Sequence, residues 1–216
     1  KKYDVGIDRP GVVDASQTVF LCYTDADSTN HTSSEGFSGG TKPLYAEVHM
    51  TAWGYDAAPV KDLQFFRFNV INRNNVAWNK TYFTLFVYVD MGSANDDYMG
   101  CDTTLQLGFG YNATDSDEIY GLHPPAAGIT MLRSPVNKST GSTDTVKLTS
   151  FCYFTGSGSA GTVCEQDPSS NPFTAYTYML GIKKDGTPWL NPTTNPYSIT
   201  KFCYPGNPES AEGWTE

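Results

Sequence analysis

Apolar and polar residues alternate with a period of two along much of this chain, and helical spacing is scarce. In residues 44–53, Leu44, Ala46, Val48, Met50 and Ala52 fall on one face of an extended segment. Tyr45, Glu47, His49, Thr51 and Trp53 fall on the other. The runs LQFFRFNVIN (63–72) and TYFTLFVYVD (81–90) are apolar on both faces, the pattern of central strands. The NRNNVAWN between them predicts a turn that joins the two as an antiparallel hairpin. Further strands are predicted at 17–24, 103–111, 128–132, 145–154, 174–183 and 199–204, separated by clusters such as GLHPPAAG and NPTTNP. Helix starts with capping boxes are not found. The expectation is an all-β fold, an antiparallel β-sandwich of jelly-roll-like form, with residues 1–216 in a single domain.

Composition narrows the setting. Aromatics make up 14% of the 216 residues and charged residues only 17%, which suits strands, turns and a secreted protein. The net charge is −9 and the 14 Lys and Arg are scattered, so no nucleic-acid partner and no basic membrane-surface patch is expected. No apolar run approaches the ~20 residues that span a bilayer. The opening KKYDVGIDRP has no apolar segment of a leader, which predicts a processed chain or a piece of a longer secreted protein.

Five cysteines stand at 22, 101, 152, 164 and 203, with no C-x-x-C pair, and there are three histidines, at 31, 49 and 123. That set disfavours a structural zinc site. Cys152 and Cys164 flank the turn-rich YFTGSGSAGTV, and a disulfide between them is expected; the alternative is two buried thiols on neighbouring strands. An odd total leaves at least one thiol unpaired, with Cys101 the candidate for a buried one, and the pairing of Cys22, Cys101 and Cys203 stays open.

Charge is distributed unevenly. Between Thr81 and Leu132 there is no Lys or Arg, yet the window holds Asp90, Asp96, Asp97, Asp102, Asp115, Asp117 and Glu118. A charge run is ordinarily a solvated loop, but a solvated face interleaves its signs and this one closes an apolar strand. Carboxylates crowded there repel unless something neutralises them. Ca²⁺ does so with six to eight oxygen ligands, and Asp90, Asn95, Asp96, Asp97 and Asp102, in a loop with Gly92 and Gly100, are the candidate ligands. The spacing is not that of an EF-hand. Asp25, Asp27 and Asn30 form a smaller cluster that reads as an Asx-rich turn.

These residues carry a resemblance. VDMGSANDDYMGCDTTLQLGFGYN (89–112), HPPAAG (123–128), DGTPW (185–189) and TKFCYPGNPESAEGWTE (200–216) resemble, in order, the motifs of a module found in large surface proteins that Bacteroidota-like bacteria export by the type IX system. TVFLCYTDADSTN and PLYAEVHMTAWGY look like the opening strands of that module. Departures occur at Ser93 and Asn95, where acids often stand, and at GNP in place of GDP. The resemblance implies an extracellular, secreted or cell-surface domain without established enzyme chemistry. A C-terminal sorting domain usually follows in such proteins, so a fragment or processed form is expected. It also implies O-glycosylation at D-[ST]-x motifs, with Ser28, Thr103 and Thr145 as candidate sites.

Among function classes, catalysis is disfavoured. GSGSAG (156–161) matches a nucleophile elbow only loosely, and His49 reads as a half-buried strand residue. The expectation is a non-catalytic structural or surface-assembly domain of a layer, sheath or filament, stabilised by Ca²⁺. Its partners would be further copies of itself or other cell-surface proteins. The alternative is a carbohydrate-binding or adhesive module using Trp53, Trp78, Trp189 and Trp214.

Overall fold

A computed structural model describes residues 12, 14–32, 40–135, 146–156, 163–168 and 171–216. The chain divides into two compact units, Lys1–Glu35 with Gly39–Thr81, and Gly36–Ser38 with Tyr82–Glu216. Among the described residues the fold is mostly strand, the sheets are antiparallel, and there is one α-helix. These sheets have two or three strands each, and among the described residues their strand order shows no closure into a sandwich or jelly roll.

The first unit is built on a meander of β1 (Gln17–Thr24), β2 (Ala46–Gly54) and β3 (Gln64–Asn72). Val, Ile, Thr and aromatic residues dominate these strands, as a pleated surface favours. Register places Phe20 and Arg67 on either side of Thr51, and Leu21 and Phe68 on either side of Met50. On the Thr51 face Trp53 stacks on Phe65 at 5.5 Å, and the Arg67 guanidinium lies 5.5 Å from the Trp53 ring centre. Thr51 beneath them is buried. On the opposite face Val19, Leu21, Tyr23, Phe66, Phe68 and Val70 are all exposed.

β3 therefore takes β2 as its partner, and the hairpin expected with 81–90 does not form. Residues 81–90 belong to no sheet. Their side chains pack instead: Phe86 stacks on Phe154 at 5.6 Å and Tyr82 meets Tyr176 edge-on at 5.7 Å. An alternating apolar pattern reports which faces seek burial; it does not name the partner that supplies it.

The second unit holds β4 (Asp97–Asp102), β5 (Leu107–Asn112) and β8 (Ala127–Thr130) in one sheet. β6 (Ser116–Asp117) pairs with β7 (Gly121–Leu122), and β9 (Trp189–Asn191) with β10 (Ser198–Thr200). The strand expected over 103–111 is broken at 103–106, where Gln106 has φ of 55° and the Asp102 carboxylate accepts the backbone N–H groups of Thr104 and Leu105. Where a strand is expected over 174–183, α1 (Pro172–Met179) stands. Its start signal is local: Asn171 accepts from the N–H groups of Phe173 and Thr174, and Pro172 occupies the first turn, where its missing N–H costs nothing.

The core of this unit gathers Tyr178 of α1, Trp189 of β9 and Cys203, with Phe151, Tyr153, Phe154, Tyr204 and Trp214 packed around them. Within the segment expected as strand 145–154, residues 146–154 belong to no regular strand, although Phe151 makes a single bridge to Phe202; residue 145 lies outside the described residues. All five cysteines are free thiols in this structure, Cys152, Cys164 and Cys203 among them. The backbone carbonyl of Tyr178 accepts from the Cys152 thiol at 3.0 Å, while its hydroxyl donates to the carbonyl of Cys164 at 3.2 Å.

Candidate functional site

The acidic segment folds back on itself at the entrance to β4. The Asp97 carboxylate accepts from the N–H of Met91 at 2.9 Å, and Asp117 accepts from that of Ser93 at 2.9 Å. Gly92 makes the turn possible. Its φ is +92°, and a Cβ there would overlap the Asp117 carboxylate. The β4–β5 register sets Asn112 opposite Asp97, and the Asp96 carbonyl takes the N–H of Ala113 at 2.7 Å.

Burial first, and then Asp96, Asp90 and Asp117, push the Asp97 carboxyl above its ordinary range against the pull of the Met91 N–H. Asp117 is buried but behaves oppositely. The N–H groups of Tyr120, Ser93 and Ile119 hold its carboxyl below the usual range, so it stays an anion. Three oxygens in this group are buried and accept no hydrogen bond: Asp96 Oδ1, Asp97 Oδ1 and Asn112 Oδ1. The amide nitrogen of Asn112 donates to the carbonyls of Thr114 and Ser116, which fixes its oxygen's direction.

Of the five ligands expected from sequence, Asp90, Asp96 and Asp97 come together here. Asn95 lies exposed in the loop. Asp102 stands at the far end of β4, where its Oδ1 closes the 103–106 turn. Asn112 and Asp117 take their places in the group. Strand pairing delivers the first and the Gly92 turn the second, so neither was legible from spacing along 89–102.

A different trio is tighter. Cys22 of β1 and Glu47 and His49 of β2 bring one ligand atom each within 4.8 Å of one another; among the described residues no trio of Asp, Glu, Cys or His in the acidic loop does so. Its charge is already met: both Glu47 oxygens accept from Arg73, at 2.8 and 3.0 Å, and His49 Nε2 lies 2.8 Å from Glu47 Oε1. His49 is half-buried on its strand, as expected.

Of the cluster expected as an Asx-rich turn, Asp27 acts locally and Asp25 does not. Asp25 accepts from the N–H groups of Leu44 and Ala46, and Asp27 caps the short 3-10 turn Ser28–Asn30. Ser28 and Thr103 are exposed in turns, whereas Thr145 and most of GSGSAG lie outside the described residues. Trp189 is buried to 3% exposure, so its ring face is not offered to a ligand. No helix among the described residues is long and apolar enough to cross a membrane. Comparison with family models, with curated proteins and with solved structures returned no match.

Proposed function

We propose that this chain is a non-catalytic extracellular structural domain, secreted or held at the cell surface, that assembles with copies of itself into a layer, sheath or filament. The observation that carries the reading is the apolar face of the β1–β2–β3 sheet, where Val19, Leu21, Tyr23, Phe66, Phe68 and Val70 stand exposed side by side. A contiguous apolar patch of this kind is costly in water and marks an interaction surface. A second layer laid on it by a neighbouring copy would bury it and complete a two-layer, jelly-roll-like sandwich. The type IX resemblance supports the extracellular setting.

Ca²⁺ is the proposed resident cation. Asp96, Asp97 and Asn112 supply buried oxygens without donors, and Asp90 and Asp117 supply further charge. A hard cation is the partner that such oxygens suit, and it would remove the repulsion that crowds Asp97.

The test is native mass by light scattering, with electron microscopy, at millimolar Ca²⁺. The wild-type chain should form particles larger than a monomer. Phe68→Asp, which places a charge on the exposed face, should leave a folded monomer. A wild-type chain that stays monomeric at every concentration would sink the reading. Glycan binding is a second reading. It is favoured by a cavity of about 350 Å³ in the second unit whose lining includes Tyr153, Glu165, Lys183, Leu190, Tyr204 and Trp214. Calorimetric titration with oligosaccharides distinguishes it.

A further inference from the structure

We propose that Cys152 and Cys203 are the disulfide-forming pair of this protein. The backbone sets the geometry. Phe151 N–H donates to the Lys201 carbonyl at 2.9 Å and Cys203 N–H to the Phe151 carbonyl at 3.0 Å, which pairs Phe151 with Phe202 in a parallel bridge. One step along that register Cys152 comes level with Cys203. Adjacent strands lie about 4.8 Å apart. That falls inside the roughly 4.4–6.8 Å Cα separation that a disulfide spans.

The side chains agree with the backbone. Cys203 is wholly buried in the core with Tyr178 and Trp189, and Cys152 packs against that same cluster. The Cys152 thiol donates to the Tyr178 carbonyl at 3.0 Å in the reduced protein, and among the other cysteines the Cys101 thiol is engaged. Cys101 of β4 donates its N–H to the Tyr204 carbonyl and its thiol to the Cys203 carbonyl at 3.2 Å, so it addresses the backbone of Cys203. The Cys164 carbonyl accepts from the Tyr178 hydroxyl. Cys22 belongs to the other unit.

The chemistry is thiol–disulfide exchange with an external disulfide, either a small molecule or a protein. The Cys152 thiolate attacks one sulfur of that disulfide, forms a mixed disulfide and releases one thiol. The Cys203 thiolate then attacks the Cys152 sulfur, closing the Cys152–Cys203 bond and releasing the second thiol. Two electrons and two protons pass from the pair to the external disulfide, which leaves as two thiols. Burial pushes the Cys152 thiol up to about 12 and the Cys203 thiol well up from its ordinary value. Exchange therefore belongs to the stage before the core closes, when the thiols are in water and ionise more readily. Once formed, the bond ties residues 146–156 to 200–204 inside the core and is shielded from reductants.

This inference is independent of assembly and of calcium, and it is tested on the full chain. The protein is refolded with reduced and oxidised glutathione, alkylated in denaturant without reductant, digested and mapped by mass spectrometry. The expected result is a linked peptide pair containing Cys152 and Cys203, with Cys22, Cys101 and Cys164 alkylated. Recovery of Cys152 linked to Cys164, of Cys203 linked to Cys101, or of both Cys152 and Cys203 alkylated overturns it. Cys164→Ala should still yield the Cys152–Cys203 link; loss of the link in that variant also overturns it.

Discussion

Asp97 concentrates the physics of the acidic loop in one carboxyl. Its folded-state value lies above its unfolded one, because burial and three neighbouring acids disfavour the anion. The sign follows. Without a cation, its contribution is most favourable at acid pH, below its unfolded value, and is lost as pH rises through the folded value. Asp97→Asn should therefore raise the melting temperature of the calcium-free protein at pH 7, by roughly 2–4 °C for each 1 kcal/mol gained. The same substitution should abolish the further rise that Ca²⁺ produces in the wild type, about 2.7 kcal/mol at a hundredfold excess over Kd. Scanning calorimetry with Ca²⁺ and with chelator reads both, and a wild type indifferent to the two conditions would remove calcium from the account. Glu47 runs the other way. Arg73 foremost, then His49, holds its carboxyl at about 2. Its contribution is full above the ordinary glutamate value and fades as pH falls from about 4.5 toward 2. The stability difference between wild type and Glu47→Gln should shrink over that window, and the NMR titration midpoint of the Glu47 side chain should lie near 2.

Among the elements, α1 shows how a short local signal overrides a longer periodic one. Residues 174–183 contain threonine and tyrosine in an order that suits a strand, yet Asn171 and Pro172 begin a helix just before them. The cap satisfies two N–H groups that would otherwise be unpaired, and Tyr178 then points into the core. Asn171→Ala should cost about 1 kcal/mol by chemical denaturation, while Asn171→Asp should be nearly neutral. Equal stability of all three would show that packing alone holds the helix. The 81–90 segment makes the complementary point. It is as apolar as a central strand, but Phe86 and Tyr82 serve aromatic contacts and no ladder forms along it.

For the molecule as a whole, the exposed face of β1–β2–β3 links stability to association. If copies cover Val19, Leu21, Tyr23, Phe66, Phe68 and Val70 for one another, the folded state gains by mass action. Melting temperature should rise with protein concentration in the wild type and become flat in Phe68→Asp. Differential scanning fluorimetry over a hundredfold concentration range measures this, and parallel flat lines would count against assembly through that face.

Sequence by itself determined the positions of the first three strands within two residues, the two faces of 44–53, and the crowding of acids near 90–102, because each is a local pattern of side-chain polarity. It read 63–72 as a central strand, whereas β3 stands at the edge of its three-stranded sheet. It also identified Asp27 and Asn30 as turn residues, because the Asp27 side chain bonds to Asn30 and to Thr29, whereas Asp25 reaches Leu44 and Ala46 far along the chain. Tertiary structure decided what depends on chain segments far apart. Asn112 enters the acidic group through the β4–β5 register, Asp117 through the turn at Gly92, and Asp102 leaves it because a strand's length separates it from Asp97. The cysteines follow the same rule. A turn-rich spacer brings Cys164 near Cys152 along the chain, but the Phe151–Phe202 bridge sets Cys203 beside it in space. Spacing records separation along the backbone; hydrogen-bonded register, which only folding creates, sets which side chains meet.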